Sequence, residues 1–192
     1  MKKMSFFRRF IKKPGTVGAL APSSKSLAKQ MVAPIDLKQI DTIVEYGTGT
    51  GVFTRYINSG IDRNKTLFFS FEIDKQLYKI SKELLPDVEI INASASTICE
   101  QLKNHGKDST DAVVSGLPWA VFSNELQDEI LDATVEALKE GGYFTTFTYL
   151  QAYYMPAACR IRKKFKSKFS EVKVSPVVWN NFPPAVVYWC KK

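Results

Sequence analysis

Cysteine and histidine are scarce in this chain. Its 192 residues hold three cysteines and one histidine, at Cys99, Cys159, Cys190 and His105. They are scattered with no C-x-x-C pair, which argues against a structural zinc site and a disulfide framework and points to a reducing compartment. Long apolar runs are also absent: none approaches the roughly 20 residues of a membrane span. Arg8 and Arg9 interrupt the early apolar stretch that a signal peptide would need. A cytoplasmic protein is therefore expected. Acids are missing from residues 1–13, which carry Lys2, Lys3, Arg8, Arg9, Lys12 and Lys13.

What is present is ordinary in proportion and basic in balance. Hydrophobic residues make up 45% and charged residues 24%, as in soluble globular domains. The length suits one domain with a sizeable core. A net charge of +8 and a pI near 9.3 favour an anionic partner, either nucleic acid or an acidic membrane surface.

The chain divides at Pro34. Within 1–34, Met4, Phe7, Phe10 and Ile11 fall at helical spacing with the cations mostly opposite. Such a helix can lie in a membrane interface, aromatics in the acyl boundary and lysines over anionic headgroups, or it can cap the core. Pro14 and Gly15 break it. Residues 18–24 are small and suit a lid or a plain connector. Ser23 or Ser24 can cap a second helix running through Leu27 and Met31.

Residues 35–192 read as a single unit of alternating strands and helices, with strands over 66–72, 88–92, 112–115 and 142–148 and helices over 75–85, 95–103, 124–139 and 154–165. Two final strands, 171–179 and 185–190, are joined by a short loop and must pair antiparallel. This alternation predicts an α/β fold: a seven-stranded, mostly parallel Rossmann-like sheet with an antiparallel last strand, helices on both faces and an N-terminal helical extension. A second basic cluster, Arg160, Arg162, Lys163, Lys164, Lys166 and Lys168, either binds lipid phosphates or RNA backbone, or is a solvated helix face.

Residues 43–54, I-V-E-Y-G-T-G-T-G-V-F-T, organise the rest. Strand, glycine loop and helix in this order let backbone pass close to a nucleotide-like ligand. A dinucleotide site needs G-x-G-x-x-G, with the helix aimed at a pyrophosphate. Here the spacing is G-x-G-x-G, two residues after an acid. A carboxylate at Glu45 repels a pyrophosphate but accepts hydrogen bonds from an ammonium group. S-adenosylmethionine has an ammonium group, a sulfonium charge and no phosphate. Glu45, Gly47, Thr48, Gly49 and Gly51 are the expected loop contacts. Ligands bind outside the carboxyl ends of parallel strands. The second strand ends in Glu72-Ile73-Asp74, roughly 20 residues past the glycines, where an acid can hold both ribose hydroxyls. Glu72 is assigned that role, with Ile73 beside it, and Asp74 caps the next helix.

E-x-G-x-G-x-G at the end of a first strand resembles motif I of the class I methyltransferases. The resemblance implies an adenine contact after the third strand, at Ala93 and Ser94. The class often has an acid there, which this chain lacks, so the contact passes to the Ser94 hydroxyl or backbone. Ser115-Gly116-Leu117-Pro118-Trp119 matches the place where amine-methylating members put a polar residue followed by apolar-Pro-aromatic. With Ala19-Leu20-Ala21-Pro22-Ser23-Ser24 and Asn181-Phe182-Pro183-Pro184-Ala185 it resembles the bacterial phospholipid N-methyltransferases, relatives of the ribosomal RNA adenine dimethylases.

That resemblance implies methylation of a phosphatidylethanolamine-like amine on the inner membrane face, by in-line displacement and without metal. Ser115, Gly116, Leu117, Pro118, Trp119 and Tyr46 would surround the acceptor. Carbonyls at Ser115 and Leu117 would orient its lone pair, and Trp119 and Tyr46 would offer cation–π contact. An RNA adenine methyltransferase also fits the charge, although little chain follows the last strand. A non-catalytic module would have no need of an intact glycine loop and Glu72.

Overall fold

Short apolar runs bounded by polar turns become strands, and longer amphipathic stretches become helices. The computed structural model describes residues 23–192. Its strands are β1 (Thr42–Tyr46), β2 (Leu67–Phe71), β3 (Glu89–Ile91), β4 (Thr110–Ser115), β5 (Leu138–Tyr149), β6 (Glu171–Val174) and β7 (Ala185–Lys191), in sheet order β3-β2-β1-β4-β5-β7-β6. Only β7 runs against its neighbours. The order reverses direction between β1 and β4, the switch point at which such sheets bind ligands. The expected Rossmann-like sheet with late antiparallel pairing is the one observed.

Alternation along each strand builds two cores. Val44, Phe69, Val113, Phe144 and Tyr188 face one way, under α4 (Ile98–Asn104), α5 (Asn124–Ala137) and α7 (Pro156–Lys168). Ile43, Phe68, Val114 and Val187 face the other, under α1 (Lys25–Met31), α2 (Val52–Gly60) and α3 (Lys75–Leu84). The start of α1 is fixed by the Ser24 hydroxyl, which accepts from Leu27 N at 3.1 Å, a cap typically worth about 1 kcal/mol. Leu27, Ala28 and Met31 are buried beneath it. The helix expected over 1–13, and all of the 18–24 segment except Ser23 and Ser24, lie outside the described residues.

Three boundaries depart from expectation. α5 stops at Ala137 rather than at residue 139, because Leu138 is already extended and pairs with Thr110. Between the pairs Thr110–Leu138 and Ala112–Tyr143, β5 therefore carries extra residues. They bulge at Gly141, whose φ is +76°, and at Gly142, where a Cβ would sit 2.8 Å from the Lys139 carbonyl. The helix expected over 154–165 starts at Pro156 and runs on to Lys168 as α7, and a separate short helix, α6 (Leu150–Tyr153), precedes it. β6 ends at Val174, just before Pro176, since proline has no ladder N–H. The Ser175 hydroxyl continues the ladder by accepting from Val187 N at 2.9 Å. In the second basic cluster, Lys164 pairs with Asp128 at 2.8 Å and Lys168 with Asp132, so two of its cations are neutralised across to α5.

Candidate cofactor and acceptor site

The loop after β1 is stitched to β2. Gly47 N and Thr48 N both donate to the Phe71 carbonyl, at 2.8 and 3.1 Å. Gly47, Gly49 and Gly51 have φ of +81°, +52° and +75°, a region costly for any residue with a Cβ. Gly51 is also the residue from which α2 starts. Thr48 is buried, its hydroxyl 2.7 Å from that of Ser70.

Glu45 is fully buried on the α2 face of the sheet. Its Oε2 accepts from the Thr54 hydroxyl at 2.7 Å, whereas Oε1 has no partner among the described residues. Burial pushes its pKa up to about 8, against the pull of Thr54 and Ser70. Desolvation of the charged form wins because no cation among the described residues offsets it. Glu72 closes the other side of the loop, accepting from Gly49 N at 3.1 Å and Asp74 N at 2.9 Å. Burial raises its pKa, again against those backbone N–H groups. The Asn92 side-chain amide donates to the Glu72 carbonyl at 2.7 Å and ties β3 to this corner. Asp74 caps α3 through Gln76 N and Leu77 N. Ile73 beside Glu72 is 44% exposed, an apolar face open at the strand ends. Ala93 turns the chain, its N–H donating to the Ile91 carbonyl at 3.0 Å. The Ser94 hydroxyl is occupied locally: it caps the following turn through Ser96 N and lies 2.9 Å from Ser96 Oγ.

The β4 turn lies directly beside the glycine loop. Gly116 N donates to the Tyr46 carbonyl at 2.8 Å, and a Cβ at Gly116 would come within 3.3 Å of the Gly47 carbonyl. Leu117 packs against Gly47. The Ser115 hydroxyl accepts from Trp119 Nε1 at 3.0 Å and Leu117 N at 3.3 Å.

Two expected acceptor contacts are corrected by these positions. Trp119 is 4% exposed and packs edge-on against Phe122, Phe144 and Phe165. Its indole closes the turn and does not line an open pocket. Tyr46 is fully buried, with its hydroxyl 3.1 Å from that of Thr134 on α5 and its ring against Phe71. Alternation in β1 sends it to the face opposite Glu45. The carbonyls of Ser115 and Leu117 also have partners, Thr146 Oγ1 and Trp119 N, each at 3.0 Å. The Gly116 carbonyl accepts no hydrogen bond among the described residues.

Thr54, Ser70, Asn92 and Gln127 were not anticipated. Gln127 holds the turn by donating to the carbonyls of Trp119 at 2.8 Å and Phe122 at 3.3 Å. A signal existed for Ser70, a lone hydroxyl inside L-F-F-S-F. Thr54, one turn into a helix, gave none.

These groups suit S-adenosylmethionine. An orphaned buried carboxyl oxygen matches an ammonium group, a second carboxylate on the next strand matches a diol, and an exposed Ile matches an apolar ring. A parallel sheet with this loop at its switch point, and this turn on the neighbouring strand, defines an S-adenosylmethionine-dependent class I methyltransferase. The chain belongs to the ribosomal RNA adenine dimethylase family, whose model matches residues 23–140. It is 25% identical over 189 residues to an ornithine lipid N-methyltransferase of Singulisphaera acidiphila, covering 97% of this chain and 94% of that protein. It is 39% identical over 64 residues to ribosomal RNA small subunit methyltransferase A of Persephonella marina, covering 33% of this chain and 23% of that protein. The fold is shared with an S-adenosylmethionine-dependent O-methyltransferase from Thermotoga maritima at TM-score 0.66 and 18% identity, covering 96% of this chain and 69% of that one. The chain is an enzyme that uses S-adenosylmethionine.

Proposed function

We propose that the chain methylates the primary amine of a membrane lipid such as phosphatidylethanolamine, working at the inner face of the cytoplasmic membrane. One observation carries this reading. The likeness to a lipid N-methyltransferase runs over 189 residues, whereas the ribosomal RNA adenine dimethylase model stops at residue 140. The lipid likeness therefore includes the last strands and their loops.

Bound S-adenosylmethionine supplies an electrophilic methyl group. The chain's own residues hold it and place the amine. Glu45 accepts from the ammonium group, Glu72 from the ribose hydroxyls, and Ile73 covers one face of the adenine. The Ser94 hydroxyl stays with Ser96, so backbone around Ala93 serves the adenine edge. At the acceptor side the open Gly116 carbonyl, with the remaining lone pairs of Ser115 and Leu117, orients a neutral amine. Leu117 and Pro118 keep water away from it. Most of the rate gain comes from positioning and desolvation.

The direct test offers labelled methyl donor with either phosphatidylethanolamine vesicles or ribosomal RNA. Label in the lipid is expected; label in the RNA alone would transfer the assignment to the RNA-modifying branch. Glu72→Ala should weaken cofactor binding by roughly tenfold or more, through the lost hydroxyl contacts and the freed Gly49 N–H. Isothermal titration reads that loss.

Replacing Arg8, Arg9, Lys12 and Lys13 by Gln should abolish transfer to vesicles while sparing cofactor affinity, since each cation gains about 1 kcal/mol at an anionic surface. Salt should weaken wild-type vesicle binding, because screening shortens from about 10 Å at 0.1 M to about 3 Å at 1 M. Binding to neutral and anionic vesicles that is equal and insensitive to salt would remove the electrostatic part of this reading.

A further inference from the structure

We propose that Trp179 and Phe182, with Tyr154 and Met155 beside them, form a rim that inserts into the interface of an anionic bilayer and holds the site over the lipid headgroups. This rests on the lipid reading above and adds where the bilayer sits.

Strand register fixes the level of the rim. Tyr46, Ser115, Thr146 and Tyr188 lie side by side across β1, β4, β5 and β7. The β5–β7 ladder continues past that level to Tyr149 paired with Ala185, a further rise of about 10 Å. The chain leaves β5 at Leu150 and enters β7 at Ala185, with Leu150 N donating to the Pro184 carbonyl at 2.8 Å. Both connections therefore stand above the same end of the sheet as the glycine loop and the Ser115 turn.

The three most exposed large apolar side chains of the described chain are all on these two connections: Tyr154 at 79%, Phe182 at 76% and Trp179 at 69%. Met155 follows Tyr154 and is 55% exposed. Single exposed apolar residues are unremarkable, but a cluster of aromatics at one end of a fold marks an interaction surface. The loop that carries two of them is well fixed. Val178 N donates to the Ala185 carbonyl at 2.8 Å. The Asn181 side chain is buried and donates to the Pro183 carbonyl at 2.7 Å. The aromatics are thus held outward on a bonded scaffold.

Charge identifies the occupant. Asn181 Oδ1 also accepts from Ser24 N at 2.8 Å, so Ser24, which follows the basic stretch 1–22 in sequence, is fixed at this same loop. That stretch carries six cations up to Lys13, and its first 13 residues contain no acid. On the other side α7 begins one residue after Met155, and its exposed Arg160 and Lys163 have no ion pair among the described residues. Tyr and Trp flanked by Lys and Arg are the composition of a membrane interface, where amphipathic rings sit at headgroup level and cations meet anionic lipid.

The full chain without methyl donor provides the test. Trp119 is buried, and Trp189 is partly buried with its indole bonded to the Gln30 carbonyl at 2.9 Å. Trp179 is therefore the tryptophan that outside quenchers reach. Vesicles of phosphatidylethanolamine and phosphatidylglycerol with brominated acyl chains should quench and blue-shift its emission, and Trp179→Phe should remove most of that response. Trp179→Ser with Phe182→Ser should lower vesicle partitioning at least about tenfold, with unchanged melting temperature and unchanged cofactor affinity. Tyr154→Ser with Met155→Ser should act in the same direction.

Vesicle binding with no quenching of Trp179 would place the bilayer elsewhere and overturn the proposal. So would the absence of vesicle binding, or quenching by a ribosomal RNA fragment but not by vesicles. Quenching by vesicles without methyl transfer to lipid would leave the rim standing and refute the lipid acceptor instead.

Discussion

Replacing Glu45 by Gln is expected to weaken S-adenosylmethionine binding by roughly ten- to a hundredfold while making the ligand-free protein more stable at neutral and alkaline pH. Both effects come from one buried carboxyl with an unpartnered oxygen. Burial raises its pKa from 4.5 to about 8. The folded protein therefore binds a proton that the unfolded chain has released between those values. Stability on account of this group is undiminished below pH 4.5, falls as pH rises toward 8, and is then level. The total loss is of the order of a few kcal/mol. Gln is neutral throughout, so variant and wild type should melt together near pH 5, and the variant should melt several degrees higher at pH 8.5. Cofactor binding follows the opposite trend. An ammonium group docking on Oε1 favours the carboxylate, so wild-type affinity should rise by about tenfold per pH unit from pH 6 and level off near 8, where an α-amino group itself titrates. The variant's affinity should be nearly flat over that range. A wild-type affinity independent of pH would mean that the ammonium group does not meet Glu45.

What could be read in the sequence was backbone, and what could not was the direction of side chains. Three alternate glycines after an apolar run with an acid prescribe the loop, and Glu72 follows at the end of the next strand. Each is a local matter of φ or of strand length. Tyr46 was legible in principle, since period-two alternation forces neighbours Glu45 and Tyr46 to opposite faces. Trp119 was not. Its orientation depends on Phe144 and Phe165, which reach it only after the sheet and α7 have assembled. The bulge at Gly141 was hidden for a related reason, because α5 runs into β5 without a turn and only the register with Thr110 sets the boundary.

The α7 basic cluster shows the same limit at the surface. Six cations in nine residues suggest one anionic partner when read along the sequence. In the fold, α7 packs beside α5, and Asp128 and Asp132 meet Lys164 and Lys168. Arg162 lies 4.5 Å from the centre of the Tyr153 ring. The free charge is thereby confined to the outer side of the helix, which begins next to the exposed Tyr154 and Met155.

Trp119→Ala should be the most destabilising single substitution in the acceptor turn, costing about 3–5 kcal/mol. The indole is the centre of a cluster with Phe122, Phe144 and Phe165 at 5.6–6.2 Å between ring centres, so truncation leaves a cavity between α7 and the sheet. The melting temperature should fall by roughly 6–20 °C for a chain of this size. Trp119→Phe keeps most of the packing and removes only the Nε1 bond to the Ser115 hydroxyl, a loss of about 0.5–1.5 kcal/mol. If the ring is a core anchor, Trp119→Phe should retain near-normal cofactor affinity and most of the turnover. Ser115→Ala removes the other partner of the same bond, so the two changes combined should cost less than the sum of each alone. Thermal melts of the four proteins in that cycle measure the coupling directly. A Trp119→Ala variant that melts like wild type but no longer turns over would return the ring to the acceptor pocket. In that case the indole must swing out of the cluster when the amine arrives.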